Sequence, residues 1–211
     1  MCIRDSGRPS PTEAAHVAED LSGKIAMIID GGPVGIGIES TIIDLTEDTP
    51  MVLRPGYITP QMLSKVLGKE VIIDPGIIAA DDTRKPKAPG MKYKHYAPKA
   101  DMAIVDGTRK HVIAKINELV ASHRDDGKKI AVIATEETKQ FYDADVVLSM
   151  GSRADEDSIA HELYRILRDC DELDVDVIFS ESFSTPRIGQ AIMNRMLKAA
   201  GHQVIDTHVK Y

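Results

Sequence analysis

Tryptophan is absent from this 211-residue chain, aromatic residues make up 4% of it, and only two cysteines occur, Cys2 and Cys170. One cysteine stands at the very start and the other in a helical pattern, which excludes a disulfide framework and a cysteine-based zinc site. Cys170 reads as a small core residue. The seven histidines are scattered and none accompanies a cysteine pair, so no protein-bound metal is expected. No apolar run approaches the roughly 20 residues that span a bilayer. The first residues also lack a signal peptide's order of basic, apolar and small residues, so a cytoplasmic location without a membrane partner is expected. An excess of basic charge is missing too: 26 Lys and Arg stand against 33 Asp and Glu, a formal net charge of −7. A chain of that balance does not grip nucleic acid over its whole surface, because phosphate neutralisation needs clustered cations. Any RNA contact has to be local.

What is present is 43% apolar residues, enough to bury one good core or two small ones. From Asp101 onward, strand-like runs at Met102–Val105, Ile130–Ala134, Val146–Met150, Val175–Phe179 and Val204–Ile205 alternate with amphipathic stretches. Val112, Ile113, Ile116, Leu119 and Val120 have helical spacing, as do Ile159, Leu163, Ile166, Leu167 and Cys170. A repeated strand–helix unit predicts a helix-covered parallel sheet, so residues 101–211 are expected to be an α/β domain.

Residues 7–68 have a different texture. A helix is expected to open at Ser10-Pro11-Thr12-Glu13, with Ser10 as its cap, and to run to about Leu21 before Gly23. Three β-like runs follow, Ile25–Ile29, Ile36–Leu45 and Met51–Leu53, and Thr59-Pro60 then caps a second helix running to about Leu67. So few elements cover too little apolar surface for an independent domain. Residues 69–100 read as a long linker. Between Thr83 and Ala100 it carries Arg84, Lys85, Lys87, Lys92, Lys94 and Lys99 and no acid, as a solvated tether or as a lid over a polyphosphate. Met1–Ser6 back-translates to a stretch like a sequencing-library adapter and is left out of the fold reasoning.

Several residues could carry chemistry. Asp30–Gly37 holds four glycines before Ser40 and Thr41, but it is neither a Walker loop nor a dinucleotide fingerprint, and alone it would more often be a turn. Ser40 and Thr41 are adjacent hydroxyls at the start of a strand pattern, so one of them faces inward or into a site; satisfying nearby backbone is the bland alternative. Arg54 ends a strand just before Pro55-Gly56, where a fixed guanidinium suits a phosphate or a surface ion pair. In Pro89–Pro98, Tyr93, His95 and Tyr96 interleave with Lys92 and Lys94, a composition suited to stacking on a base and holding phosphates. It could equally anchor the linker. No residue looks like a covalent nucleophile.

Together these segments resemble the two-domain form of L-threonylcarbamoyladenylate synthase, in which a YrdC-like catalytic domain is joined by a linker to a small Rossmann-like domain. The resemblance rests on Ser6-Gly7-Arg8-Pro9-Ser10-Pro11-Thr12, His16-Val17, Asp20-Leu21, Asp30-Gly31-Gly32, Gly37-Ile38-Glu39-Ser40-Thr41 and Leu53-Arg54-Pro55-Gly56, in the family's order. The most specific match is Pro89-Gly90-Met91-Lys92-Tyr93-Lys94-His95-Tyr96-Ala97-Pro98 in the linker, and Gly189–Met196 is similar to the family's closing helix. The family's Ser-Ala-Asn preceding Ser6 is missing, which predicts that the front of the catalytic domain is lost and that residues 7–68 are its remnant.

The resemblance implies that threonine and bicarbonate give N-carboxythreonine, which attacks the α-phosphate of ATP to release pyrophosphate and threonylcarbamoyl-AMP, a precursor in tRNA modification. Ser10 and Arg54 would then bind ATP, Ser40 and Thr41 threonine, and Lys92, Tyr93, His95 and Tyr96 would close over the nucleotide. Mg2+ would accompany ATP, and a tRNA threonylcarbamoyl transferase would take the product, with room for a weak tRNA contact. The family's front half supplies a Lys and Arg cluster for the phosphates, so the chain as it stands is expected to be inactive. The rival expectations are a nucleotide- or metabolite-binding regulatory module on residues 101–211, and an RNA-binding fragment.

Overall fold

The computed structural model describes residues 8–78, 96–183 and 187–208, and two sheets organise them. The first has three strands in the order β1 (Ile42–Asp44), β2 (Met51–Arg54), β3 (Ile72–Ile73), with β1 antiparallel and β3 parallel to β2. The second has five strands in the order β6 (Val146–Ser149), β5 (Ile130–Ala134), β7 (Val177–Glu181), β4 (Asp101–Asp106), β8 (Val204–Asp206), and every pairing is parallel.

The second sheet is built as its sequence predicts. Parallel strands covered on both faces read as continuous apolar runs, and β5 is fully buried along its whole length. Its side chains alternate between two cores, Ala131 and Ile133 on one side, Ile130, Val132 and Ala134 on the other. Helix α4 (Arg109–Asp125) covers the second side through Val112, Ile116 and Val120. Helices α5 (Glu156–Glu172) and α6 (Gly189–Ala199) cover the first side. Asp155 caps α5 by accepting from the Ser158 amide, with Glu156 and Asp157 in the first turn, where the helix dipole favours acids.

The first segment departs from expectation in three places. Helix α1 (Ala14–Leu21) starts later than predicted: its N-cap is Glu13, and Ser10 turns its hydroxyl elsewhere. The run 25–29 forms no strand and leaves Met27 75% and Ile29 88% exposed, because no neighbouring strand among the described residues offers it a ladder. Of the run 36–45 only β1 pairs. Helix α2 (Pro60–Leu67) does follow the reading, with Thr59 Oγ1 accepting from the Met62 amide and Gly68 closing the end in the left-handed region. The stretch read as linker opens with β3 and a short helix α3 (Pro75–Ile78).

One stripe of α5 receives part of the first segment. Ala160, Tyr164 and Arg168 recur at four-residue spacing, so they lie on one face of the helix. Gly37, with φ +80°, packs so closely on the first of them that a Cβ there would meet Ala160 O and His161 Cα at 2.4 Å. Arg168, 1% exposed, donates to Glu19 (2.8 Å), Asp20 (2.6 Å) and Pro9 O (2.8 Å). Among the described residues no helix is long and apolar enough to cross a membrane.

Candidate functional site

Arg54, the last residue of β2, lies alongside Ser40 in the loop that precedes β1. Its Nε donates to Ser40 O at 3.0 Å and its Nη2 to Ser40 Oγ at 3.2 Å. Strand pairing holds them together, because Ile42 sits opposite Arg54 in the β1–β2 register. The chain then has to turn at Pro55-Gly56, and only glycine fits: a Cβ at Gly56 would fall 2.5 Å from Thr41 N and 2.7 Å from Glu39 O. Thr41 uses its hydroxyl proton on Ile58 O at 2.7 Å, which ties the loop to the residues before α2.

These contacts fix what each group still offers. Ser40 Oγ accepts from Arg54, so its own proton is available for an anionic oxygen. Arg54 spends one edge of its guanidinium on Ser40 and keeps the Nη1 and Nη2 edge, which is planar and suited to two oxygens of one phosphate. Ser10 donates to Glu39 Oε1 at 2.7 Å and therefore presents lone pairs, not a proton, to a ligand. It suits a hydroxyl or amino group better than a phosphate.

Glu39 joins this loop to the C-terminal helices. Its carboxylate accepts from Tyr164 OH at 2.7 and 2.8 Å and from Arg195 Nε at 3.0 Å, in addition to Ser10. Arg195, with no exposure at all, also donates to Pro55 O, to Ala191 O and to Glu39 O. Burial would push the Glu39 carboxyl up, but the Arg195 guanidinium and the Tyr164 and Ser10 hydroxyls outweigh it and hold the group below the ordinary carboxylate range. Burial and the neighbouring Glu39 charge push the Tyr164 hydroxyl up, so it stays protonated and keeps donating. Next to Arg195, burial and that cation lower the Lys198 ammonium to about 8.

Tyr96 is buried, with its ring 5.1 Å from that of Tyr164 and its backbone in the left-handed region at φ 63°. Burial and the Glu39 charge raise its hydroxyl, while Arg195 and Arg54 act the other way, so it belongs to the same electrostatic neighbourhood. Lys92, Tyr93 and His95 lie outside the described residues. The sequence reading singled out Ser10, Ser40, Thr41, Arg54 and Tyr96 but gave no role to Glu39, Tyr164 or Arg195, which hold them. Among the described residues no group of three or more His, Cys, Asp or Glu could hold a metal ion. The Glu39 carboxylate, which accepts from Ser10, is committed to its three partners.

A family model described as "Threonylcarbamoyl-AMP synthase, C-terminal domain" matches residues 58–201. The chain belongs to the threonylcarbamoyl-AMP synthase family. A second model, described as "Telomere recombination", matches residues 3–56 of this family member. The threonylcarbamoyl-AMP synthase of Bacillus subtilis is 47% identical over 200 residues, covering 95% of this chain and 56% of the relative. That of Pyrococcus abyssi is 48% identical over 201 residues, with the same coverage. The crystal structure of P. abyssi Sua5 complexed with L-threonine superposes with a TM-score of 0.86 at 46% identity, over 96% of this chain and 57% of that one. The chain thus spans little more than half the length of the synthases it matches.

Proposed function

We propose that these residues form part of a site that makes threonylcarbamoyl-AMP and pyrophosphate from threonine, bicarbonate and ATP. The observation that carries this reading is the Arg54–Ser40 clamp. It places a free guanidinium edge beside a hydroxyl with a free proton, on a loop locked at Glu39 and Gly56. Two anionic partners can then meet there: a phosphate on Arg54 and a carboxylate or carbamate oxygen on Ser40. The membership of the family, and the relative that binds L-threonine, support the assignment.

The chemistry asked of these side chains is positioning and charge neutralisation rather than covalent catalysis. Attack by a carbamate carboxylate on the α-phosphate brings two anions together, and a fixed guanidinium lowers that repulsion without reorganising in the transition state. In this reading Ser10 takes a hydroxyl or amino group of the nucleotide, Thr41 keeps the threonine-facing loop in register, and Lys92, Tyr93, His95 and Tyr96 close on the nucleotide. Mg2+ enters on the polyphosphate as its counter-ion. The product passes to a tRNA threonylcarbamoyl transferase.

The test is pyrophosphate release that requires both threonine and bicarbonate, measured on this chain fused to the front segment of the B. subtilis relative. Loss of one charge-assisted contact in Arg54→Ala is expected to cost about 1.5–3 kcal/mol, or roughly 10- to 150-fold in kcat/KM for ATP. Release that ignores threonine, or an Arg54→Ala variant as good as its parent, sinks the reading.

A further inference from the structure

The C-terminal domain has a cavity of about 260 Å3 that the synthase reading does not use. Gly107, Arg109, Glu137, Arg153, Glu181 and Ser182 line it, together with Val112 and Thr138. Its position follows from the topology. Strands β4 and β7 are neighbours in the sheet, yet the chain leaves β4 for α4 on one face and leaves β7 for α6 on the other. The two connections part at the carboxyl ends of these strands, and open parallel sheets bind ligands in the crevice such a parting leaves. The strand ends are tied by Ser182 Oγ donating to Asp106 at 2.5 Å.

The lining is charged and held in place. Arg153 donates to Glu181 (2.7 Å) and to Ser182 O (2.8 Å), both from Nη2, and its guanidinium lies 5.4 Å from the centre of the Phe183 ring. Arg109 reaches Glu137 O with Nη2 and lies 5.6 Å over Phe141. Each guanidinium is therefore oriented by a ring and one nitrogen, with its remaining N–H groups unspent. Glu181 is satisfied by Tyr142 OH at 2.6 Å as well as by Arg153. Glu137 Oε1 accepts from Ser152 Oγ and Arg153 N, which holds this carboxylate against the 152–153 turn.

Helix α4 starts at the same point and is composed against its own dipole. Its first turn holds Arg109, Lys110 and His111 and no acid, and Thr108 turns its hydroxyl to the His111 ring at 3.1 Å instead of capping an amide. Cations at a helix start cost stability unless an anion offsets them. Gly107, at φ 148°, lets the strand run straight into that start, since a Cβ there would fall 2.0 Å from Thr207 Oγ1. The loop Asp106-Gly107-Thr108-Arg109-Lys110 has no dinucleotide fingerprint, yet it has the charge and the amides of a simpler anion site.

We propose that this crevice binds a small phosphomonoester, with the phosphate at Arg109, Arg153 and the start of α4, and its organic part toward Glu137 and Thr138, which line the same cavity. The site is separate from the Arg54–Ser40 clamp and does not depend on it.

Amide NMR titrations of this chain with inorganic phosphate, glycerol 3-phosphate and malate test the proposal. The expected result is saturable shifts at residues 107–112, 137–138, 153 and 181–182 with glycerol 3-phosphate, weaker ones with phosphate, and a Kd raised at least tenfold in Arg109→Ala. Arg153→Gln, which keeps a hydrogen-bond donor beside the buried Glu181, is expected to weaken binding as well, and Arg54→Ala to leave it unchanged. Malate binding without glycerol 3-phosphate binding overturns the phosphate assignment. Shifts that centre on Ser40 and vanish in Arg54→Ala, or no shifts at all, overturn the site. Failure of the synthase assay leaves these outcomes unaffected.

Discussion

Glu39 gathers three donors from three distant stretches of chain, and that makes its carboxylate the residue on which the loop geometry depends. Removing one member of a buried ion pair leaves the other charge without compensation, at a cost of about 3–5 kcal/mol. Arg195→Ala is therefore expected to lower the urea unfolding free energy by that order. The double variant Glu39→Gln with Arg195→Met, which removes both charges at similar volume, is expected to lose distinctly less. Equal losses would mean that the pair is not coupled as the geometry requires. The pH dependence follows from the same group. Its folded value lies below the ordinary 4.5, so the folded state binds this proton less readily than the unfolded chain. Stability from Glu39 is complete above 4.5 and is lost as pH falls through the folded value. His16 adds in the same direction: burial and Arg168 lower it, so the unfolded chain takes up its proton first as pH drops below 6.5. Denaturation midpoints measured downward from pH 7 are expected to fall in two stages, and Glu39→Gln should shrink the lower one, which Glu19, Glu137 and Glu162 share.

At the scale of elements, helix α5 presents two different edges of one face. Its apolar residues Ile159, Leu163, Ile166, Leu167 and Cys170 cover the sheet as their spacing predicts. Beside them Ala160, Tyr164 and Arg168 receive the first segment. Gly37→Ala is expected to destabilise the molecule by about 1–3 kcal/mol, through strain at a positive φ and a clash with α5 backbone; an unchanged melting temperature would show that the loop does not rest on α5. The central strands β4, β5 and β7 were legible because a buried parallel strand is an unbroken apolar run. The stripe on α5 was not, since a tyrosine and an arginine in a helix look like solvent-facing residues until their partners are known. Arg54, Ser40 and Tyr96 were legible as a motif, whereas Glu39 stood inside that motif with nothing to mark its partners, which lie 125 and 156 residues away. The run 25–29 has the composition of a strand, but strand formation depends on a neighbour that composition does not reveal.

For the whole molecule, the two parts are joined by the buried guanidinium groups of Arg168 and Arg195 and by the close packing of Gly37 on α5. Arg168 and Arg195 together bind Pro9, Glu19, Asp20, Glu39 and Pro55, so the C-terminal helices act as the support for the first segment. Hydrogen exchange is expected to show β4, β5 and β7 as the slowest amides, with the 37–41 loop faster and accelerated further in Arg195→Ala. A loop unmoved by that variant would show that the first segment holds itself.

The separation between Glu39 and Arg195 also has a meaning in time. A ribosome adding about 5–20 residues per second needs roughly 8–30 s to pass from one to the other, across the 156 positions between them. For that interval the loop has been made while its guanidinium has not, so the loop waits for α6, the last helix among the described residues. A premature stop between β7 and α6 would leave four of the five strands of the second sheet and yet strand the 37–41 loop without the cation that closes it.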